Sequence, residues 1–107
     1  MDLRPANILV RSRRPVAILD WSNALTGEPA LDLARAAEYG SLTPAALAAY
    51  GPRAAFSLIP RTPREIVYRL DTAVMLSHVF SGGAPDEDKA RHYIARTKTF
   101  CRALSGG

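Results

Sequence analysis

Cysteine is nearly missing. Cys101 is the only one in 107 residues, so an internal disulfide is excluded, and so is a zinc site built from cysteines. Histidine is scarce as well: His78 and His92 fall on separate expected helices with no other ligand type grouped around them, and each reads as a helix-surface residue. No apolar run approaches the roughly 20 residues that a membrane span requires. The start, Met1 followed by an acid and only a short apolar run, does not look like a signal peptide. The expected location is therefore cytoplasmic, with no membrane partner. Aromatic residues are few, 7% of the chain, and are not interleaved with the basic ones, which argues against base stacking and hence against a nucleic-acid partner. Repeats and low-complexity stretches are absent.

What remains is the composition of an ordinary globular protein, 48% hydrophobic and 22% charged, in a length that suits one domain spanning 1–107. The net charge of +4 favours phosphate-rich ligands without identifying one.

The chemistry is concentrated in the first twenty residues. Asp2 and Asn7 stand five positions apart, and the apolar run Ile8-Leu9-Val10 follows. A polar stretch from Arg11 to Pro15 leads into Val16-Ala17-Ile18-Leu19, which ends on Asp20-Trp21. Two short aliphatic runs joined by turn-like residues predict a β-hairpin. Pairing would place the start of the first strand beside the end of the second, bringing Asn7 and Asp20 to one mouth. Two oxygen-bearing side chains there suit a hard cation such as Mg²⁺, and Asp2 would face whatever the cation holds. Taken singly, Asn7 and Asp20 are also what the ends of strands carry. Arg4, near Arg11, Arg13 and Arg14, also reads as part of a basic surface, and Trp21 as a packed aromatic.

In order, Asp2-x-x-x-x-Asn7, a hairpin and then Asp20 resemble the catalytic loop and metal-binding segment of protein-kinase-like phosphotransferases. Asp20-Trp21-Ser22 takes the place of Asp-Phe-Gly, and Gly27-Glu28-Pro29-Ala30-Leu31-Asp32-Leu33-Ala34 follows with no room for a long activation loop. This pairing is similar to the aminoglycoside phosphotransferase and choline-kinase-like branch, whose members phosphorylate small molecules. The resemblance implies that Asp2 orients an acceptor hydroxyl and takes its proton, and that Asn7 and Asp20 hold Mg²⁺ at the phosphates of ATP. It implies further that Arg4 stabilises charge at the transferring phosphate and that Asp32 supports the catalytic loop from behind. The implied fold is α+β and mostly helical: the C-terminal lobe of a protein-kinase-like fold, entered through a short N-terminal hairpin. No glycine-rich loop, strand lysine or helix glutamate precedes Asp2, so the chain is expected to correspond to the C-terminal portion alone, inactive without a nucleotide-binding lobe.

Behind the hairpin, a loop over 22–29 leads to a helix from Ala30 to Tyr39 with Ala30, Leu33 and Ala37 on one face and Gly40 just past its end. Thr43-Pro44 starts a second helix that Gly51-Pro52 stops. Residues 53–61 offer a short apolar stretch barred by Pro60. Thr62-Pro63-Arg64-Glu65 is a capping-box signature, and the helix after it is expected to bury Ile66, Leu70, Ala73, Val74 and Ser77 and to expose Arg64, Asp71 and His78. Its end is expected near Ser81-Gly82-Gly83. The last helix begins around Pro85 to Asp88, its acids complementing the helix dipole, with Ala90, Tyr93, Ile94, Thr97, Cys101 and Leu104 as the expected buried stripe. Glu38 and Asp71 are candidate acids for a polycationic acceptor.

Two functions stand at this point. One is an ATP-dependent phosphotransferase acting on a small-molecule hydroxyl. The other is a non-catalytic remnant or interaction module that keeps the helical lobe. Either would expose apolar surface, for which a second copy or a separate upstream-lobe polypeptide is the expected partner.

Overall fold

A computed structural model describes residues 4–22, 24, 26–52 and 56–106. The chain divides into two compact units, Met1–Leu58 and Ile59–Gly107.

The first unit opens with a 3₁₀ turn, Pro5–Asn7, and continues into β1 (Ile8–Arg11) and β2 (Arg14–Ile18), an antiparallel pair. Arg11 pairs with Arg14, so the connection is two residues, Ser12 and Arg13, rather than the polar stretch from Arg11 to Pro15. Both have positive φ, 50° and 64°, the pattern of a type I′ turn, whose twist matches that of the flanking strands. Pro15 therefore lies inside β2. It pairs with Val10 where the register shifts between Leu9 and Val10, leaving Val16 as the extra residue of a bulge. A bulge is where a residue without an N–H can sit in a strand.

Two helices follow, α1 (Pro29–Glu38) and α2 (Pro44–Tyr50). Each begins with proline, whose missing N–H would have no helical acceptor anyway. Ala30, Leu33, Ala34 and Ala36 are buried, Ala34 completely, while Ala37 is only half-buried. The buried stripe thus lies slightly round from the expected Ala30–Leu33–Ala37 face. Past α1, Gly40 has φ +76°, its N–H donates to the Ala37 carbonyl (3.1 Å), and the Ser41 N–H donates to Ala36 (2.9 Å). This is the Schellman arrangement, and it satisfies carbonyls that the end of a helix would otherwise leave without partners. In α2 the Thr43 hydroxyl accepts from the Ala46 N–H at 3.1 Å, as its N-cap position predicts.

The second unit is a helical hairpin. α3 (Pro63–His78) packs against α4 (Glu87–Leu104). The capping box forms in full: the Glu65 N–H donates to Thr62 Oγ1 (3.3 Å), and Glu65 Oε2 accepts from the N–H groups of Thr62 (2.9 Å) and Arg61 (2.8 Å). These bonds let Glu65 be buried, and they turn the helix. The buried residues are Glu65, Arg69, Thr72, Ala73 and Leu76, one position away from most of the expected set. Val74 is exposed, and Ile66, Leu70 and Ser77 are half-buried; Arg64, Asp71 and His78 are exposed as expected.

The α-helical pattern stops at His78 and widens into a π-helical turn, Val79–Gly83, closed by the Ala84 N–H donating to Val79 at 2.9 Å. Asp86 then caps α4 by accepting from the Lys89 N–H at 3.1 Å. Ala90, Tyr93 and Phe100 are buried along α4, whereas Ile94, Cys101 and Leu104 are exposed. Phe100 was absent from the expected stripe; Tyr93 stacks on Phe80 of the π-helical turn, ring centres 5.9 Å apart.

Candidate functional site

The site forms at the open end of the hairpin. Pro5 starts the 3₁₀ turn, and the Asn7 N–H donates back to the Arg4 carbonyl at 2.8 Å, closing it. Strand pairing then runs from Ile8 opposite Ile18, and the Leu19 N–H donates to the Asn7 carbonyl at 2.7 Å. Asn7 thus lies opposite Leu19, one residue from Asp20. The register places Asn7 and Asp20 at the same end of the hairpin.

Asp20 breaks the strand. Its φ is +61°, a left-handed conformation that aspartate tolerates better than most residues. The reversal is tied down on both sides. Trp21 Nε1–H donates to the Ile18 carbonyl at 2.7 Å, and Ser22 Oγ–H donates to Asp20 Oδ1 at 2.6 Å. The Ser22 hydroxyl is the main cause of a carboxyl pKa below the ordinary 3.8, its backbone N–H adds to the effect, slight burial opposes it, and the Arg4 charge contributes least. Asp20 is exposed and ionised at neutral pH, and Arg4 is close enough for its charge to be felt there.

Trp21 is 60% exposed, so it is not the packed aromatic that its type suggested; its indole N–H closes the turn. Ser22 had not been singled out. An Asp with a Ser two residues on is a local side-chain hydrogen-bonding pattern, and that spacing was the available signal.

Asp2 lies outside the described residues. Asp32 is half-buried in the first turn of α1, where a negative charge complements the helix N-terminus. Glu38 is buried at the other end of α1, and Asp71 is exposed on α3 in the second unit. Beside α2, Pro44, Leu47, Gly51, Phe56 and Leu58 line an open, mainly apolar groove of about 430 Å³, and among the described residues none of the expected site residues borders it.

Among the described residues, no three His, Cys, Asp or Glu side chains group as a metal cluster. The hairpin mouth offers one ionised carboxylate and one amide. That is a sparse set of hard oxygen donors, and it fits Mg²⁺, which keeps several waters and shares substrate phosphate oxygens rather than filling its shell from protein.

A family model described as a phosphotransferase enzyme family matches residues 1–66. The chain belongs to that phosphotransferase family. The match bears out the likeness to aminoglycoside phosphotransferases read from the motif order. It spans the hairpin, α1, α2 and the capping box of α3. No curated protein and no solved structure matches the chain. The observed architecture is α+β, mostly helical, with one two-stranded sheet among the described residues, and no helix among them is long and apolar enough to cross a membrane.

Proposed function

We propose that this phosphotransferase family member uses ATP and transfers a phosphoryl group to a hydroxyl of a small molecule, with its hairpin and helices corresponding to the helical lobe of a protein-kinase-like fold. The observation that carries this reading is the register of the hairpin, which sets Asn7 opposite Leu19 and so beside Asp20, in a segment that the family model matches.

Asn7 and Asp20 would hold Mg²⁺. When bound, such an ion neutralises charge on the nucleotide phosphates and holds them for in-line displacement. Arg4 adds a fixed positive charge near Asp20, suited to an anionic phosphoryl group. Asp2, five residues before Asn7, would orient the acceptor hydroxyl and take its proton. Positioning and electrostatics of this kind supply most of what a phosphoryl transfer needs from protein.

The test is calorimetric titration of ATP with Mg²⁺ into the whole chain and its Asp20→Asn variant. Asparagine also tolerates the left-handed backbone at this position, so the variant removes the charge without forcing the turn to change. Heat that requires both metal and nucleotide, and that disappears in the variant, is the expected result. Equal binding by the two proteins would remove Asp20 from the site.

A further inference from the structure

The tip of the β1–β2 hairpin carries costs that folding does not recover. Arg11 and Arg14 are direct cross-strand partners, and like charges set opposite each other destabilise a strand pair. Between them, Ser12 and Arg13 both take positive φ, a left-handed backbone that neither residue favours. No acidic residue occurs from Leu3 to Leu19, and among the described residues none makes an ion pair with Arg11, Arg13 or Arg14. All three arginines are exposed. Strain and unbalanced charge kept within four residues mark the tip as functional rather than structural.

We propose that this tip docks on the anionic headgroups of a lipid bilayer, independently of the cation site at the other end of the hairpin. Two features favour a bilayer over an acidic protein. Val10 and Val16, 58% and 54% exposed, stand close behind the arginines, and aliphatic side chains beside guanidinium groups suit the boundary between headgroups and acyl chains. The tip is also short and convex. A stable protein complex engages about 20–30 residues on each side, whereas the tip offers Arg11 to Arg14 and the two valines; a bilayer requires no matched surface. The expectation of no membrane partner rested on the lack of a spanning run, which a surface contact does not need. Each arginine at an anionic surface strengthens binding by about fivefold.

The experiment is cosedimentation of the full chain with vesicles of phosphatidylcholine alone, or of phosphatidylcholine and phosphatidylglycerol in equal parts. One variant combines Arg11→Gln, Arg13→Gln and Arg14→Gln. A charge-matched variant combines Arg61→Gln, Lys98→Gln and Arg102→Gln, all exposed in the second unit. Helical circular dichroism is expected to be the same in all three proteins. The wild type is expected to sediment with the anionic vesicles and not the neutral ones. Replacing the tip arginines should weaken this by about a hundredfold, and the charge-matched variant should lose only a few fold. Wild-type binding that is equal on the two vesicle types overturns the inference, because apolar surface then accounts for it. Equal losses in the two variants overturn it as well, since net charge alone would be responsible. Absence of wild-type binding to anionic vesicles also overturns it, and if polyglutamate then shifts the amide signals of Ser12 and Arg13, the tip is assigned to an acidic polypeptide instead.

Discussion

Asp20 is the residue where local chemistry and backbone shape meet. Its carboxylate is stabilised first by the Ser22 hydroxyl and then by the Ser22 N–H, and both donors reach it because the chain reverses at φ +61°. A carboxyl whose folded pKa lies below its unfolded one adds stability that is present above the unfolded value and is lost as pH falls through the folded value. Asp20 therefore contributes fully across the neutral range and loses its contribution only in acid, below the ordinary 3.8. Removing the hydroxyl in Ser22→Ala takes away the largest cause of the shift. The Asp20 titration should then move upward, toward the ordinary value, and the stability lost in acid should become smaller. Carboxyl carbon chemical shifts followed against pH measure this, and coincident midpoints in the two proteins would show that the serine hydroxyl does not act on the carboxylate. Because Asp20 is exposed, solvent screens the effect, and the global unfolding midpoint should change little.

At the scale of elements, the hairpin and α3 show how local signals combine with packing. Ser12 and Arg13 occupy two successive positive-φ positions, where each non-glycine residue costs about 1–2 kcal/mol. Asn-Gly is the pair that a type I′ turn prefers. Ser12→Asn combined with Arg13→Gly is thus expected to stabilise the hairpin by about 1 kcal/mol, read as a higher urea midpoint with an unchanged slope. A lower midpoint would mean that the Ser12 or Arg13 side chain contributes more than the backbone strain it carries. In α3 the Thr62-Pro63-Arg64-Glu65 signal located the helix start correctly. The apolar pattern misplaced the buried face, because Glu65 enters the cap with its charge satisfied and Arg69 is buried one turn further on. A pattern that counts only apolar residues turns the helix the wrong way when polar ones are buried with partners.

For the whole molecule, charge and division into units are the governing facts. The family match ends at residue 66, so it covers the first unit and only the start of the second. The hairpin leaves Leu9, Val10 and Val16 more than half exposed, close in sequence to Arg11, Arg13 and Arg14. A net charge of +4 should attract a polyphosphate ligand from a distance, and added salt screens such attraction beyond about 10 Å at 0.1 M. Binding of ATP with Mg²⁺ is therefore expected to weaken as potassium chloride is raised. Titrations at several salt concentrations check this, and an affinity independent of salt would assign binding to short-range contacts alone.

The amino-acid sequence by itself determined the order of the motif residues, the two strands, the caps at Thr43 and Thr62, the start of the last helix around Asp86, and the glycine stop at Gly40. Each is set by neighbours a few positions away, through backbone hydrogen bonds and allowed φ values. Tertiary structure decided what depends on more distant groups. It shortened the turn to Ser12-Arg13 and moved Pro15 into a bulge, since strand register is settled by the pairing of both strands together. It chose which faces of α3 and α4 are buried, putting Phe100 inside and Val74, Ile94 and Cys101 outside. The Ser22 contact with Asp20 is local instead: the left-handed backbone at Asp20 and the Trp21 bond to Ile18 bring a hydroxyl two residues away within bonding distance of the carboxylate.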